Sequence, residues 1–165
     1  MLLAAELKKL ILHKPALTLA VAESVTAGQV QSRIAAVSGA SDFFLGGITA
    51  YNLEQKVQQL GVNRAHARSV NCVSQRVAVE MAAGAAKLFG ADLAVATTGY
   101  AERSPKQKVK IPHAWWAICH RLRGGAVLVL SGLVEVPGAD RVTMQEKVAE
   151  VVLQELVQYL REVRG

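Results

Sequence analysis

The chain has 165 residues, 52% of them hydrophobic, and 19 Lys and Arg against 13 Asp and Glu leave a net charge of +6. That length and apolar content suit one globular domain, residues 1–165, with a sizeable core, and they exclude a disordered chain. The cations are scattered and aromatic residues make up 5%, which argues against nucleic acid as a partner. No run approaches the ~20 apolar residues that cross a bilayer.

The N-terminal "MLLAAELKKLILHK" carries Lys8 and Lys9 inside its apolar pattern rather than before it, so it reads as an amphipathic helix and not a signal peptide. "ALTLAVAE" follows as a buried strand, and "TAGQVQSRIAAVSG" as a helix stopped by Gly39, with Val30, Ile34 and Val37 at helical spacing. "GGITAY" is the second strand and "NLEQKVQQLGV" a short helix ending at Gly61. "VSQRVAVEMAAGAAKLFG" predicts a longer helix with Ser74 as N-cap and Gly90 as its stop. "DLAVATTG" is a third buried strand. After a basic loop from Tyr100 to Pro112, "AWWAICHRL" and "GAVLVLSGLVEV" form two strands joined at "RGG", a link short enough to require antiparallel pairing. A helix from about Arg141 to Val163 closes the chain. This order predicts an α/β fold, a three-layer α/β/α sandwich with a mixed β-sheet.

Ligands of such sheets gather at the carboxyl ends of strands, beside helix N-termini. "AESVTAG", "TAYNLEQK" and "TTGYAERS" all fall there. A structural reading is available for the first, with Thr26 capping the next helix and Gly28 allowing close packing. A chemical reading is also available. Serine needs a base to attack at neutral pH, and these clusters hold no histidine, so Lys56, five residues after Tyr51 at a strand-to-helix junction, is the candidate. By spacing alone, a solvated lysine and a core tyrosine explain the same residues. Cys72 and Cys119 read as two reduced core thiols of a cytoplasmic protein. His13, His66, His113 and His120 have no metal-ligand spacing, and no metal or cofactor is expected.

Taken together, "AESVTAG", "GASDFFLGGITAYNLEQKVQQLGV", "VSQRVAVEMAAGAAKLFGADLAVATTG" and "VPGADR" resemble, in order and spacing, the CinA C-terminal-domain family, which includes nicotinamide mononucleotide deamidases. The resemblance implies an α/β/α domain that commonly dimerises and an amidohydrolase acting on a pyridine nucleotide, its small-molecule substrate. It implies catalytic Ser24, Ser41, Tyr51 and Lys56, with Ser41 favoured over Ser24 as nucleophile and Tyr51 relaying or positioning the proton. Substrate contacts are expected at Thr26, Gly28, Thr98, Gly99 and, from the charge of its loop, Arg103; the resemblance implies a further one at Arg141, with oxyanion donors near Thr26 or Gly99. The sequence departs from the family where a glycine-rich loop is expected and Gly99 to Pro105 stand instead. From Arg103, Lys106, Lys108 and Lys110, that segment is expected to form a mobile basic lid over a phosphorylated ligand. A non-catalytic paralogue that binds a nucleotide or partner is the alternative.

Overall fold

In the computed structural model, which describes residues 2–164, the chain runs α1 (Leu2–Leu12), β1 (Leu19–Glu23), α2 (Gln29–Ala35), a 3-10 turn (Ala40–Asp42), β2 (Phe44–Thr49), α3 (Leu53–Leu60), α4 (Arg64–Ser69), α5 (Gln75–Phe89), β3 (Leu93–Tyr100), β4 (His113–Arg121), β5 (Val127–Glu135) and α6 (Arg141–Arg164). The strands form one mixed sheet in the order β2-β1-β3-β4-β5. β1 is parallel to β2 and β3, and β4 is antiparallel to β3 and β5. The α/β/α architecture with a mixed sheet is thus present as the sequence predicts.

Alternation along the strands decides which helix covers which face. Leu19, Val21, Leu93, Val95 and Ile118 join the core shared with α1, α2 and α6. Ala20, Ala22, Ala94, Ala96 and Ala117 point the other way, onto the alanine-rich face of α5. Small residues on both sides let α5 lie close to the sheet. Helix α5 also meets α3 closely at Gly84, where an added Cβ would sit 2.1 Å from the carbonyl oxygen of Leu60, the last residue of α3. Ser74 accepts from the Val77 amide as the N-cap of α5, and Gly90 ends it in the left-handed conformation, both as predicted. Helix α4 is absent from the sequence reading, because "RAHARS" carries no apolar period; its start is fixed instead by Asn63, whose side chain accepts from the His66 amide.

Connections alternate between faces. The β1-to-β2 crossover through α2 uses the large-residue face, and the β2-to-β3 crossover through α5 uses the alanine face. The chain therefore leaves β1 toward one sheet edge and returns to β3 on its other side. Such a reversal opens a crevice at the carboxyl ends of β1 and β3.

Candidate active site

Glu23, the last residue of β1, builds the crevice although it does not face it. Its side chain is fully buried. Oε2 accepts from Thr26 Oγ1 at 2.5 Å, Gly28 N at 3.0 Å and Val30 N at 3.1 Å, and Oε1 accepts from Gln31 N at 2.9 Å. One carboxylate thus satisfies the free amides at the start of α2. Thr26 Oγ1 also shares a 2.7 Å hydrogen bond with Thr97 Oγ1, which ties the turn to β3. Thr26 and Gly28, expected as substrate contacts, both stand outside the cavity. Thr26 is inaccessible to solvent, the Gly28 amide is committed to Glu23, and neither lines the cavity. Thr26 is not the cap of α2 either, since Gly28 occupies that position with no side-chain bond.

With the turn fixed this way, Ser24 stands just beyond β1, between β2 and β3. Its amide donates to Thr97 O, and Ala50 N donates to Glu23 O. Lys56, on the first turns of α3, extends beneath it. Asn52 starts that helix by accepting from the Gln55 amide, and Lys56 itself is 1% exposed. Lys56 Nζ donates to Ala50 O at 2.9 Å and to Tyr51 O at 3.0 Å, and lies 2.8 Å from Ser24 Oγ. Burial pushes the lysine down to about 8, against an opposing pull from Cys72 nearby.

This arrangement has a chemical consequence. Carbonyl oxygens only accept, so the two hydrogens of a neutral Lys56 amine are taken up by Ala50 O and Tyr51 O. The remaining lone pair is left for the Ser24 hydroxyl. When Lys56 is an ammonium, its third hydrogen goes to Ser24 Oγ instead. The pair can pass one proton between them without moving a backbone atom.

Ser24, Tyr51, Lys56, Thr98, Gly99, Arg103 and Arg141 all border one cavity of about 470 Å³. Ser41 does not. It lies exposed in the 3-10 turn before β2, and because β2 runs parallel to β1, that turn is at the opposite end of the sheet from Ser24. The five residues of β1 separate the two by roughly 17 Å. Of Ser24, Ser41, Tyr51 and Lys56, expected to converge, the structure brings Ser24, Tyr51 and Lys56 to one cavity and leaves Ser41 apart from them. Tyr51 also differs from expectation. It serves Lys56 through its carbonyl, while the residue as a whole is 59% exposed and its phenol adjoins Arg141.

Two further residues of the cavity were not singled out by sequence. Cys72, expected in the core, is only half-buried and lines the cavity. It follows Asn71, and both have positive φ, 50° and 61°; Thr98 Oγ1 donates to Cys72 O at 2.7 Å and holds this bend against β3. Glu102 pairs with Arg141 across the cavity mouth. Gly99 is required by packing, since a Cβ there would fall 2.4 Å from that of Ala114 on β4.

The basic segment, expected as a mobile lid, is folded into a hydrogen-bonded turn. Ser104 and Val109 exchange backbone hydrogen bonds, Gln107 N donates to Ser104 O, and Val109 is buried as an anchor. Of its four cations only Arg103 borders the cavity. Among the described residues no group of His, Cys, Asp and Glu could hold a metal ion, and no helix is long and apolar enough to cross a membrane.

The sequence profile of the CinA C-terminal domain matches residues 3–160. A CinA-like protein of Chlorobium limicola is 36% identical over 156 residues, covering 94% of this chain and 36% of the relative. One from Chlorobaculum tepidum is 37% identical over 148 residues, covering 89% and 35%. The chain spans about a third of the length of these curated relatives. Among solved structures, the competence damage-inducible protein A of Klebsiella pneumoniae superposes with a TM-score of 0.83 at 26% identity, covering 96% of this chain and 95% of that one. A competence-damaged protein (CinA) superfamily protein of Escherichia coli gives 0.81 at 27%, covering 96% and 88%. A profile match along nearly the whole length, joined to the shared fold, places the chain in its family: it belongs to the CinA C-terminal domain family.

Proposed function

We propose that this protein is a serine–lysine amidohydrolase that removes ammonia from the carboxamide of nicotinamide mononucleotide or a related pyridine nucleotide. The observation that carries this reading is the buried Lys56 Nζ 2.8 Å from Ser24 Oγ, with its other bonds made to two carbonyls. A protein that only binds a nucleotide has no need of a buried, deprotonatable amine on a serine, which speaks against the non-catalytic alternative.

In the reaction, neutral Lys56 takes the Ser24 hydroxyl proton as Oγ bonds to the carboxamide carbon, and the carbonyl electron pair moves to oxygen. The amide of Val25, which follows the nucleophile directly and borders the cavity, meets no acceptor among the described residues, so it is the nearest candidate to receive that oxyanion, worth ~3 kcal/mol. Lys56 then gives its proton to the nitrogen, the C–N bond breaks and ammonia leaves. Water, deprotonated by the same lysine, adds to the Ser24 ester, and as the C–O bond to Ser24 breaks Lys56 returns the proton to Oγ, releasing the acid, which ionises to the carboxylate. Arg103 and Arg141 border the cavity and can pair with the substrate's phosphate, provided that Arg141 exchanges Glu102 for it.

Cys72 and Cys119 are both free, which suits a reducing cytoplasm. Strand β5 forms one edge of the sheet, with Val127, Val129 and Leu133 exposed, and it is the surface we assign to a homodimer. The test of the activity is ammonia release from nicotinamide mononucleotide and a panel of other amides. Saturable release that disappears in Lys56→Met, with the variant still folded, supports the reading. Release by that variant at the wild-type rate, or none from any amide, overturns it.

A further inference from the structure

A second cavity, of about 710 Å³, opens at the end of the sheet opposite Ser24, where β4 ends and the link before β1 passes beneath α6. Its floor is the pair His120 and Tyr159, both buried. His120 Nδ1 and the Tyr159 hydroxyl lie 2.6 Å apart, with the rings edge to face at 5.8 Å. Burial holds the imidazole toward its neutral form. Leu17, Leu128 and Val163 supply apolar wall, and the last two are 43% and 46% exposed. An apolar wall left open to water is where an apolar ligand body gains most by docking.

Charge at the rim points to the rest of the ligand. Lys14, Arg121 and Arg123 border the cavity, and none takes part in any of the ion pairs found among the described residues, whereas Arg64, Arg76, Arg141, Lys147 and Arg161 all do; Arg121 makes one long bond, from Nη1 to Ala86 O at 3.4 Å. The single carboxylate of the lining, Asp92, is occupied with Thr18, whose amide and hydroxyl both donate to Oδ2. Arg164 bridges the mouth, donating through Nη2 to His13 O and Pro15 O, while its Nε is buried with no acceptor. Guanidinium groups outside any ion pair and an orphaned donor favour an anion, and an arginine pair can hold a planar or tetrahedral oxyanion through forked bonds.

We propose that this second cavity is a binding site for a small organic anion, an aromatic or branched aliphatic body carrying a carboxylate or phosphate head. The body lies over His120 and Tyr159 against Leu17 and Leu128, and the head is held by Arg121 and Arg123. The site is independent of the amidohydrolase reading, since its residues share none with the Ser24 cavity.

The experiment is isothermal titration of the full chain with naphthalene-1-carboxylate, 1-naphthyl phosphate and the uncharged naphthalene-1-methanol, joined to proton–nitrogen NMR mapping. Saturable one-to-one binding of at least one anion is expected, with shifts centred on His120 and Tyr159. The alcohol should bind at least ~10-fold more weakly, and the Arg121→Ala/Arg123→Ala variant should lose a similar factor. Lys56→Met should bind as the parent does. Leu128→Glu, at an exposed position, places a negative charge on the wall and should weaken binding too, which keeps the test decisive if the arginine variant is poorly folded. Which anion binds more tightly distinguishes the two head groups. Equal affinity for the alcohol, unchanged affinity in both rim variants, shifts centred on Ser24, or no saturation with either anion would overturn the proposal.

Discussion

Lys56 is a base only when it has lost its proton, and the position of that equilibrium is set by burial. At about 8, roughly a tenth of the population is neutral at pH 7, against far less than a hundredth for a solvated lysine near 10.4. Amide hydrolysis should therefore climb about tenfold per pH unit below 7 and level off above an inflection near 8, read from kcat/KM against pH; a rate flat from pH 6 to 9 would remove Lys56 as the base. Glu23 answers a different need. Its two oxygens accept four hydrogen bonds from donors only, so Glu23→Gln must turn an amide N–H toward other N–H or O–H groups. A loss of ~2–3 kcal/mol is expected in denaturant unfolding, together with reduced activity, because the same turn carries Ser24. The role of Glu23 is not legible in the "AESVTAG" motif, since nothing in its spacing reveals that the next helix folds back onto it. The choice between Ser24 and Ser41 was equally hidden. Ser24 follows the β1 run and Ser41 precedes the β2 run in the sequence, and only the parallel register of β1 and β2 puts them at opposite ends of the sheet.

Elements with a strong period were legible, and elements defined by a cap or a tertiary contact were not. The alternation Leu-Ala-Val-Ala in β1 and Leu-Ala-Val-Ala in β3 announces two buried faces, and the 3.6 period of α5 and α6 locates both helices. Charge at the basic loop suggested mobility, yet the backbone bonds between Ser104 and Val109 and the buried Val109 decide its form. The alanine face of α5 makes its own prediction. Gly84→Ala gains ~1 kcal/mol of helix propensity, but its Cβ would enter the Leu60 carbonyl at 2.1 Å, where backbone rather than a flexible side chain must yield. Overpacking wins, so the variant should be ~1–3 kcal/mol less stable, measured by thermal or urea unfolding. A variant as stable as the parent would mean that α3 and α5 can slide apart. Because α3 carries Lys56, activity should fall with stability.

For the molecule as a whole, the sheet separates two environments. The carboxyl ends of β1 and β3 gather the Ser24–Lys56 pair, while the opposite end gathers unpaired cations over His120 and Tyr159. Between them, β5 exposes Val127, Val129 and Leu133 along an open edge, the kind of strand that natural proteins pair or cover. Light scattering after gel filtration should give twice the chain mass for the parent and the chain mass for Leu133→Glu; a monomeric parent would free β5 of that role. The central claim is that Ser24, and not Ser41, forms the bond to substrate. It is tested most directly by acid-quenching the enzyme during turnover of nicotinamide mononucleotide, followed by peptide mass spectrometry. The peptide containing Ser24 should gain the mass of the substrate less ammonia, and the adduct should vanish in Ser24→Ala along with ammonia release, while Ser41→Ala keeps both. An adduct on Ser41, or ammonia released by Ser24→Ala at the parent's rate, would contradict it.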